Sequence, residues 1–170
     1  MLIIFGGLPG TGKTSIARLL APRLHAMHLR IDTIEQALLP AGAGDDPLED
    51  RGYRIAYALA ADNLRLGLPV IADGVNPIDL TREAWITVAE TCGVLPVEVE
   101  IVCSDREEHR RRVETRHPDI LGHRLPSWAE VEARPYHAWE REHLVVDTAL
   151  FSVEAAAEQI AAVVAAFTLP

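Results

Sequence analysis

Apolar runs of four to six residues alternate along the chain with stretches whose apolar positions recur every three or four residues. A short continuous apolar run is the mark of a strand buried on both faces, and helical spacing between such runs marks crossover helices. The pattern therefore predicts βαβ units feeding one parallel sheet, with strands over 2–5, 28–31, 70–72, 97–102 and 144–146. The fold class it implies is α/β, a three-layer sandwich around a five-stranded parallel sheet.

End signals sharpen the helices. Ile16, Leu19, Leu20 and Leu24 keep helical spacing behind the first strand, with Pro22 placed to kink the last turn. Pro47 and Gly67 bracket a helix over 49–66, and Asp79 and Gly93 bracket another. Ser104 with Glu107, and Ser127 with Glu130, match the capping box, in which hydroxyl and carboxylate satisfy each other's backbone N–H groups. Two irregular stretches stand out: 41–46, expected to be a mobile loop, and 117–126, between the two capping boxes. We expect a single domain over 1–170, carrying an inserted lid segment at about 104–127.

Composition narrows the partners. Twenty-five acids against 16 bases leave a net charge of −9 over 170 residues, which disfavours nucleic acid and anionic membranes. Cys92 and Cys103 lack paired spacing, so no disulfide framework or zinc site is indicated, and both read as buried thiols of a reducing compartment. The opening apolar run is too short for a secretory signal, and Glu158 and Gln159 break the Ala/Val-rich stretch near 155–167. The expectation is a soluble cytoplasmic protein.

The strongest chemical signal follows the first strand directly: Gly7-Leu-Pro-Gly10-Thr11-Gly12-Lys13-Thr14-Ser15, opening a helix. Glycines at such a turn let backbone N–H groups close on phosphates at dihedrals a Cβ forbids, and the helix dipole adds its positive end. Lys13 supplies a point charge to the outer phosphates and Thr14 a hydroxyl to Mg²⁺. From the chain's own composition, the chance expectation of this pattern is roughly 3 in 10,000. Of the 16 basic residues 15 are arginine, and the one lysine is Lys13. A compact ammonium is thus kept where a rotatable point charge fits between phosphate oxygens.

Ligands of an open parallel sheet bind at the carboxyl ends of its strands, which singles out Asp32 after the second strand and Asp73 after the third. Phosphoryl transfer to a hydroxyl needs one carboxylate to orient or accept the acceptor proton, here Asp32, and one to hold Mg²⁺, here Asp73. Each has a structural alternative, Asp32 with Glu35 as a helix cap and Asp73-Gly74 as a turn.

The segment 104–127 holds six arginines against five acids. His109, Arg112 and Arg116 share a helix face, with Val113 on a neighbouring one. Arg112 and Arg116 are the expected clamp on the transferring phosphoryl, with Arg124 a further candidate. The bland alternative is a solvated helix held by Glu107/Arg111 and Glu108/Arg112 pairs. His117, His123, His137, His143 and the tryptophans read as structural.

In order along the chain, Gly7–Thr14, Arg30-Ile31-Asp32, Asp73-Gly74-Val75-Asn76 and the arginine-rich helix resemble the P-loop small-molecule kinases of the zeta-toxin, chloramphenicol phosphotransferase and polynucleotide 5′-kinase type, a group often labelled AAA family ATPase. The resemblance implies ATP and Mg²⁺ as cofactors, Asp32 as acceptor base, Asp73 and Asn76 as the family's Asp-x-x-Asn, and a mobile arginine-bearing lid. A hydrophobic strand ending in Asp-Glu, usual in motor ATPases, is missing.

Three functions are in play. The leading one is a kinase moving the γ-phosphoryl of ATP onto a small-molecule hydroxyl. The others are a nucleotide-hydrolysing switch without an acceptor, and a nucleoside or polynucleotide kinase, against which the net charge argues. Asp45, Asp46, Glu49 and Asp50 would repel a polyanionic acceptor, and Tyr53 and Tyr57 could contact a neutral or cationic one.

Overall fold

The computed structural model describes residues 1–39 and 48–168, of which 48–50 and 168 are described by backbone alone. Five strands are present: β1 (Leu2–Gly6), β2 (Met27–Arg30), β3 (Val70–Asp73), β4 (Pro96–Val102) and β5 (Leu144–Asp147). They pair in the order β2-β3-β1-β4-β5, and every pairing is parallel. The helices are α1 (Lys13–Arg23), α2 (Ile31–Leu38), α3 (Leu48–Arg65), α4 (Asp79–Thr91), α5 (Arg106–Thr115), α6 (Trp128–Glu132) and α7 (Val153–Thr168).

The apolar runs make strands because helices cover the sheet on both sides. Ile3, Phe5, Ile71, Val99 and Ile101 point to one face and pack under Ile16, Leu20, Ala157 and Ile160 of α1 and α7. Leu2, Ile4, Val70 and Ala72 point to the other and pack under Ala56, Ala60 and Trp85 of α3 and α4. Alternation within β1 thus feeds two cores, which is why the whole strand is buried. Pro22 sits in the last turn of α1, next to the helix end.

Local readings differ from the structure in three places. β2 gives way to α2 at Ile31, one residue earlier than the apolar run suggests, and Arg30 is the N-cap with no side-chain capping bond. Asp32 is therefore in the first turn of the helix and is not its cap. Asp105, not Ser104, caps α5, its Oδ1 accepting from the amides of Glu107 and Glu108 at 3.0 Å each. The Ser104 amide instead donates to Asp147 Oδ1 at 3.0 Å, which holds that residue on the sheet and outside the helix. On α5, Glu108 bridges both Arg111 and Arg112, while Glu107 pairs with Arg106, in place of the expected Glu107/Arg111 pair. The second capping box, Ser127 with Glu130, forms in full.

The 41–46 stretch lies outside the described residues. Cys92 and Cys103 are free and half-buried rather than fully buried. No helix among the described residues is long and apolar enough to cross a membrane.

Candidate active site at the carboxyl edge of the sheet

The loop between β1 and α1 leaves the sheet at Gly7, whose φ is +134° and whose Cβ, if present, would lie 2.1 Å from the Ile101 carbonyl oxygen. Only glycine lets the chain turn this close to β4. The loop then opens into α1, and no side chain caps that helix. First-turn amides of an uncapped helix are unpaired donors at the positive end of the dipole, the environment that an anion stabilises.

Lys13 is buried, and its Nζ donates to the carbonyls of Gly7 at 2.7 Å and Leu8 at 2.8 Å. Burial lowers its pKa to about 8, Arg116 and Arg134 push the same way, and Asp73 and Asp32 oppose the shift. Those five charged groups therefore share one field. Thr11 is tied into the loop by its hydroxyl on the Leu8 carbonyl at 3.0 Å, while Thr14 is half-exposed and Ser15 exposed at the helix start.

Asp73 ends β3 and is buried, with His28 Nε2 lying 3.0 Å from its Oδ2. Asp32 is 42% exposed, with Arg30 Nη2 3.5 Å away. That exposure leaves it available to an incoming group. Asn76 is fully buried at a φ of +46° and joins four partners: its Nδ2 donates to the Phe5 carbonyl at 2.6 Å, its Oδ1 accepts from Trp85 Nε1 at 3.0 Å, its amide donates to the Tyr53 hydroxyl at 3.1 Å, and its carbonyl accepts from Arg82 Nε at 2.9 Å. Asn76 thus fixes the end of β1 to α3 and α4. Tyr53 and Tyr57 are committed to this scaffold, Tyr57 donating to the Thr81 carbonyl at 3.2 Å.

The arginine-rich helix lies over the phosphate loop. A Cβ on Gly10 would meet Val113 Cγ2 at 2.6 Å, and His109 Nε2 lies 2.9 Å from the Pro9 carbonyl. The face turned to the loop is thus His109 and Val113, flanked by the arginines. Arg112 is fully engaged, its Nε on Glu108 at 2.7 Å and its two Nη atoms on the hydroxyl and carbonyl of Thr148 at 2.8 and 2.9 Å. Arg116 follows the last residue of α5 as its C-cap, and its Nε and Nη2 are buried with no hydrogen-bond partner. Arg124 is exposed and paired with Glu130.

Four contributors carry no periodic signature and are missed by sequence reading. Thr148, just past β5, has its hydroxyl within reach of the Thr11 carbonyl at 2.9 Å and the Val102 carbonyl at 3.0 Å, the one proton serving between them. Asp119, in the irregular stretch, accepts two bonds from Arg30 at 2.8 and 3.1 Å and a third from Arg18, drawing that stretch toward α1 and β2. Arg134 stands close enough to Lys13 to weaken its hold on the proton. Arg82 donates to the carbonyls of His137 at 2.7 Å and Ala138 at 2.9 Å, pinning the chain after α6 beside Asn76. Only proximity in the fold reveals them.

Among the described residues, no three His, Cys, Asp or Glu side chains gather as a metal centre. The donor set that exists, a threonine hydroxyl at a helix start and a strand-end carboxylate beside a phosphate loop, fits Mg²⁺, which is held by one or two protein oxygens together with phosphate oxygens.

The family model described as AAA domain matches residues 2–127. A protein of Aeropyrum pernix named probable adenylyl-sulfate kinase is 29% identical over 154 residues, covering 87% of this chain and 83% of that protein. The crystal structure of APE1195 superposes with a TM-score of 0.76 at 25% identity, covering 99% of this chain and 96% of that one. The structure of the Mycobacterium tuberculosis APS kinase CysC in complex with AMPPNP and APS superposes with a TM-score of 0.74 at 20% identity, covering 96% of each chain. These likenesses agree on a P-loop kinase fold and do not single out the zeta-toxin, chloramphenicol phosphotransferase or polynucleotide kinase branch.

Proposed function

We propose that this chain, which belongs to the AAA domain family, works as an ATP-dependent P-loop kinase that moves a γ-phosphoryl group onto a hydroxyl of a small molecule. The observation that carries the reading is the company Lys13 keeps. An ammonium buried at an uncapped helix start shares its field with the carboxylates of Asp73 and Asp32 after neighbouring strands, with Arg116 at the end of α5 and with Arg134 just after α6. A nucleotide-binding turn alone needs no exposed carboxylate beside it, whereas transfer to a hydroxyl does.

The residues divide the work as follows. The amides of Gly10, Gly12, Lys13 and Thr14 and the Lys13 ammonium cradle the phosphates, with Gly7, Thr11 and Ser15 shaping the two ends of the turn. On binding, Lys13 exchanges the carbonyls of Gly7 and Leu8 for phosphate oxygens. Thr14 and Asp73 would hold magnesium, which when bound neutralises charge on the outer phosphates. Asp32 orients the acceptor hydroxyl and takes its proton. Arg116, whose charge acts on those of Asp32 and Lys13, is the proposed clamp on charge shared between donor and acceptor. Arg112 could contribute there only by giving up Glu108 and Thr148, so its first task is to hold the end of β5 against the lid.

Two further features favour a kinase over a switch that merely hydrolyses ATP. Asp32 is neither a helix cap nor buried, and the lid is fastened to both the phosphate loop and β2, a closure that keeps water from competing with the acceptor. The test is γ-phosphoryl transfer from labelled ATP with Mg²⁺ to a broad panel of hydroxyl compounds. The reading requires transfer by wild type, its loss in Asp32→Asn with ATP binding intact, and loss of ATP binding in Lys13→Ala.

A further inference from the structure

A cavity of about 620 Å³ opens between the end of α5 and α6, a size ordinary for a small-molecule site. Its walls include the apolar surfaces of Val113, Leu125, Pro126 and Trp128, together with Arg116. Three polar atoms of these wall residues are buried without a partner: Arg116 Nε, Arg116 Nη2 and Trp128 Nε1. All three are donors.

A buried donor left unpaired destabilises the fold until something accepts from it, and the cost is larger for donors on a charged guanidinium. The other charged groups on the cavity wall do not answer this need. Glu114 accepts from Arg110 at 2.9 Å, and Glu130 accepts from Arg124 at 2.7 Å and from Ser127. The Nε and Nη2 atoms of arginine form one edge of a planar fork, spaced to meet the two oxygens of a carboxylate, phosphate or sulfate side by side.

We propose that this cavity seats the acceptor, and that the acceptor carries one anionic oxygen group, a phosphate, sulfate or carboxylate, gripped by the Nε/Nη2 edge of Arg116 and the indole N–H of Trp128. The apolar walls take the carbon body of the molecule. The cavity adjoins the phosphate loop, since Val113 of its wall packs on Gly10 and Trp128 stands edge-on to His109, whose ring bonds the Pro9 carbonyl, so a molecule anchored here lies beside the donor phosphates. The proposal rests on the kinase reading for the word acceptor, while the anion site stands on the cavity itself.

The test separates the two. Lys13→Ala removes the ammonium from the phosphate loop, and inorganic phosphate is titrated by calorimetry into that variant and into the double variants that add Arg116→Gln or Trp128→Phe, each checked for folding by circular dichroism. Saturable phosphate binding by Lys13→Ala is expected, weakened about tenfold by adding Arg116→Gln and about threefold by adding Trp128→Phe. No saturable binding by Lys13→Ala, or binding indifferent to both added substitutions, overturns the site. With ATP and Mg²⁺, matched pairs are then compared on otherwise wild-type protein: a polyol and its monophosphate, a sugar and its acid, a sugar and its sulfate ester. The charged member should show a kcat/KM about tenfold higher, and Trp128→Phe, which leaves the phosphate loop, Asp32 and Arg116 in place, should cut that preference about threefold. Transfer to both members alike, or a Trp128→Phe effect confined to ATP affinity, assigns the anion site to the nucleotide and overturns the docking proposal. Absence of transfer to every acceptor, with the phosphate result as expected, counts against the kinase reading and in favour of a free-standing anion site.

Discussion

His109 Nε2 lies 2.9 Å from the carbonyl oxygen of Pro9, so the lid helix donates a hydrogen bond to the phosphate loop it covers. A carbonyl can only accept, which fixes the proton on Nε2 and makes this ring a direct strut between α5 and the turn before Lys13. The ring also stands edge-on to Trp128, with centroids 5.1 Å apart, linking α6 to the same point.

Burial holds the His109 pKa below its usual 6.5, and Lys13, Arg112 and Arg116 act in the same direction, against a smaller opposing effect of the Pro9 bond. The unfolded or lid-open chain therefore binds more protons than the closed one as pH drops below about 6.5, and closure weakens on acidification. Hydrogen exchange over α5 at pH 7.5 and 5.5 should show protection falling at the lower pH. His109→Gln, which lacks a titrating ring, should remove most of that difference.

Lys13 loses its proton near pH 8 in the free protein, well below an ordinary lysine. Bound phosphates favour the ammonium, so above that pH ATP binding takes up a proton, and affinity falls by up to about tenfold per unit. Calorimetry at pH 9 in buffers of different ionisation enthalpy should show proton uptake close to one per ATP, and almost none at pH 7. For stability the sign is related. The cost of burying the charge is fully present below pH 8 and is relieved as pH rises from there toward 10.5.

Asp32→Asn keeps size and hydrogen bonding but removes the proposed base. Phosphoryl transfer should fall by about 10²- to 10⁴-fold, with the affinity for a non-hydrolysable ATP analogue changed less than about threefold. A fall in affinity that matched the fall in rate would instead mark Asp32 as a structural partner of Arg30.

Asn76→Ala leaves the Trp85 indole N–H without a buried acceptor and releases the Phe5 carbonyl, the Tyr53 hydroxyl contact being made by the backbone. A positive φ of +46° is also less tolerable for alanine than for asparagine. Together these should lower stability by about 2–4 kcal/mol, read as a shift in the urea midpoint at unchanged slope.

The architecture was legible because its signals are local. The apolar runs of β1 and β3 are continuous where both faces are covered, and the glycine loop directly after β1 has no common structural substitute. Local pattern failed where a distant group decided the outcome. Ser104 fits the capping box as well as Asp105 fits an N-cap, and the choice falls to Asp105 because Asp147, 43 residues away, holds the Ser104 amide. Arg112 and Arg116 look alike on a helical wheel, yet Thr148 and Glu108 occupy one while the other has an empty fork. The links from Asp119 to Arg30 and from Thr148 to Thr11 join segments 89 and 137 residues apart, a separation across which no periodicity speaks.

The segment from Ser104 to Ala138, which contains the expected lid at 104–127, is moored at both ends. On one side the Asp147 carboxylate grips Ser104 just ahead of α5, and on the other the Arg82 guanidinium grips the carbonyls of His137 and Ala138. No strand lies between those moorings, so the loops there can change in length without interrupting the sheet, provided His109, Arg112 and Asp119 keep their bonds to Pro9, Thr148 and Arg30. Evolution, or an engineer, can therefore reshape the roof around those fixed points and retarget the enzyme without rebuilding the sheet.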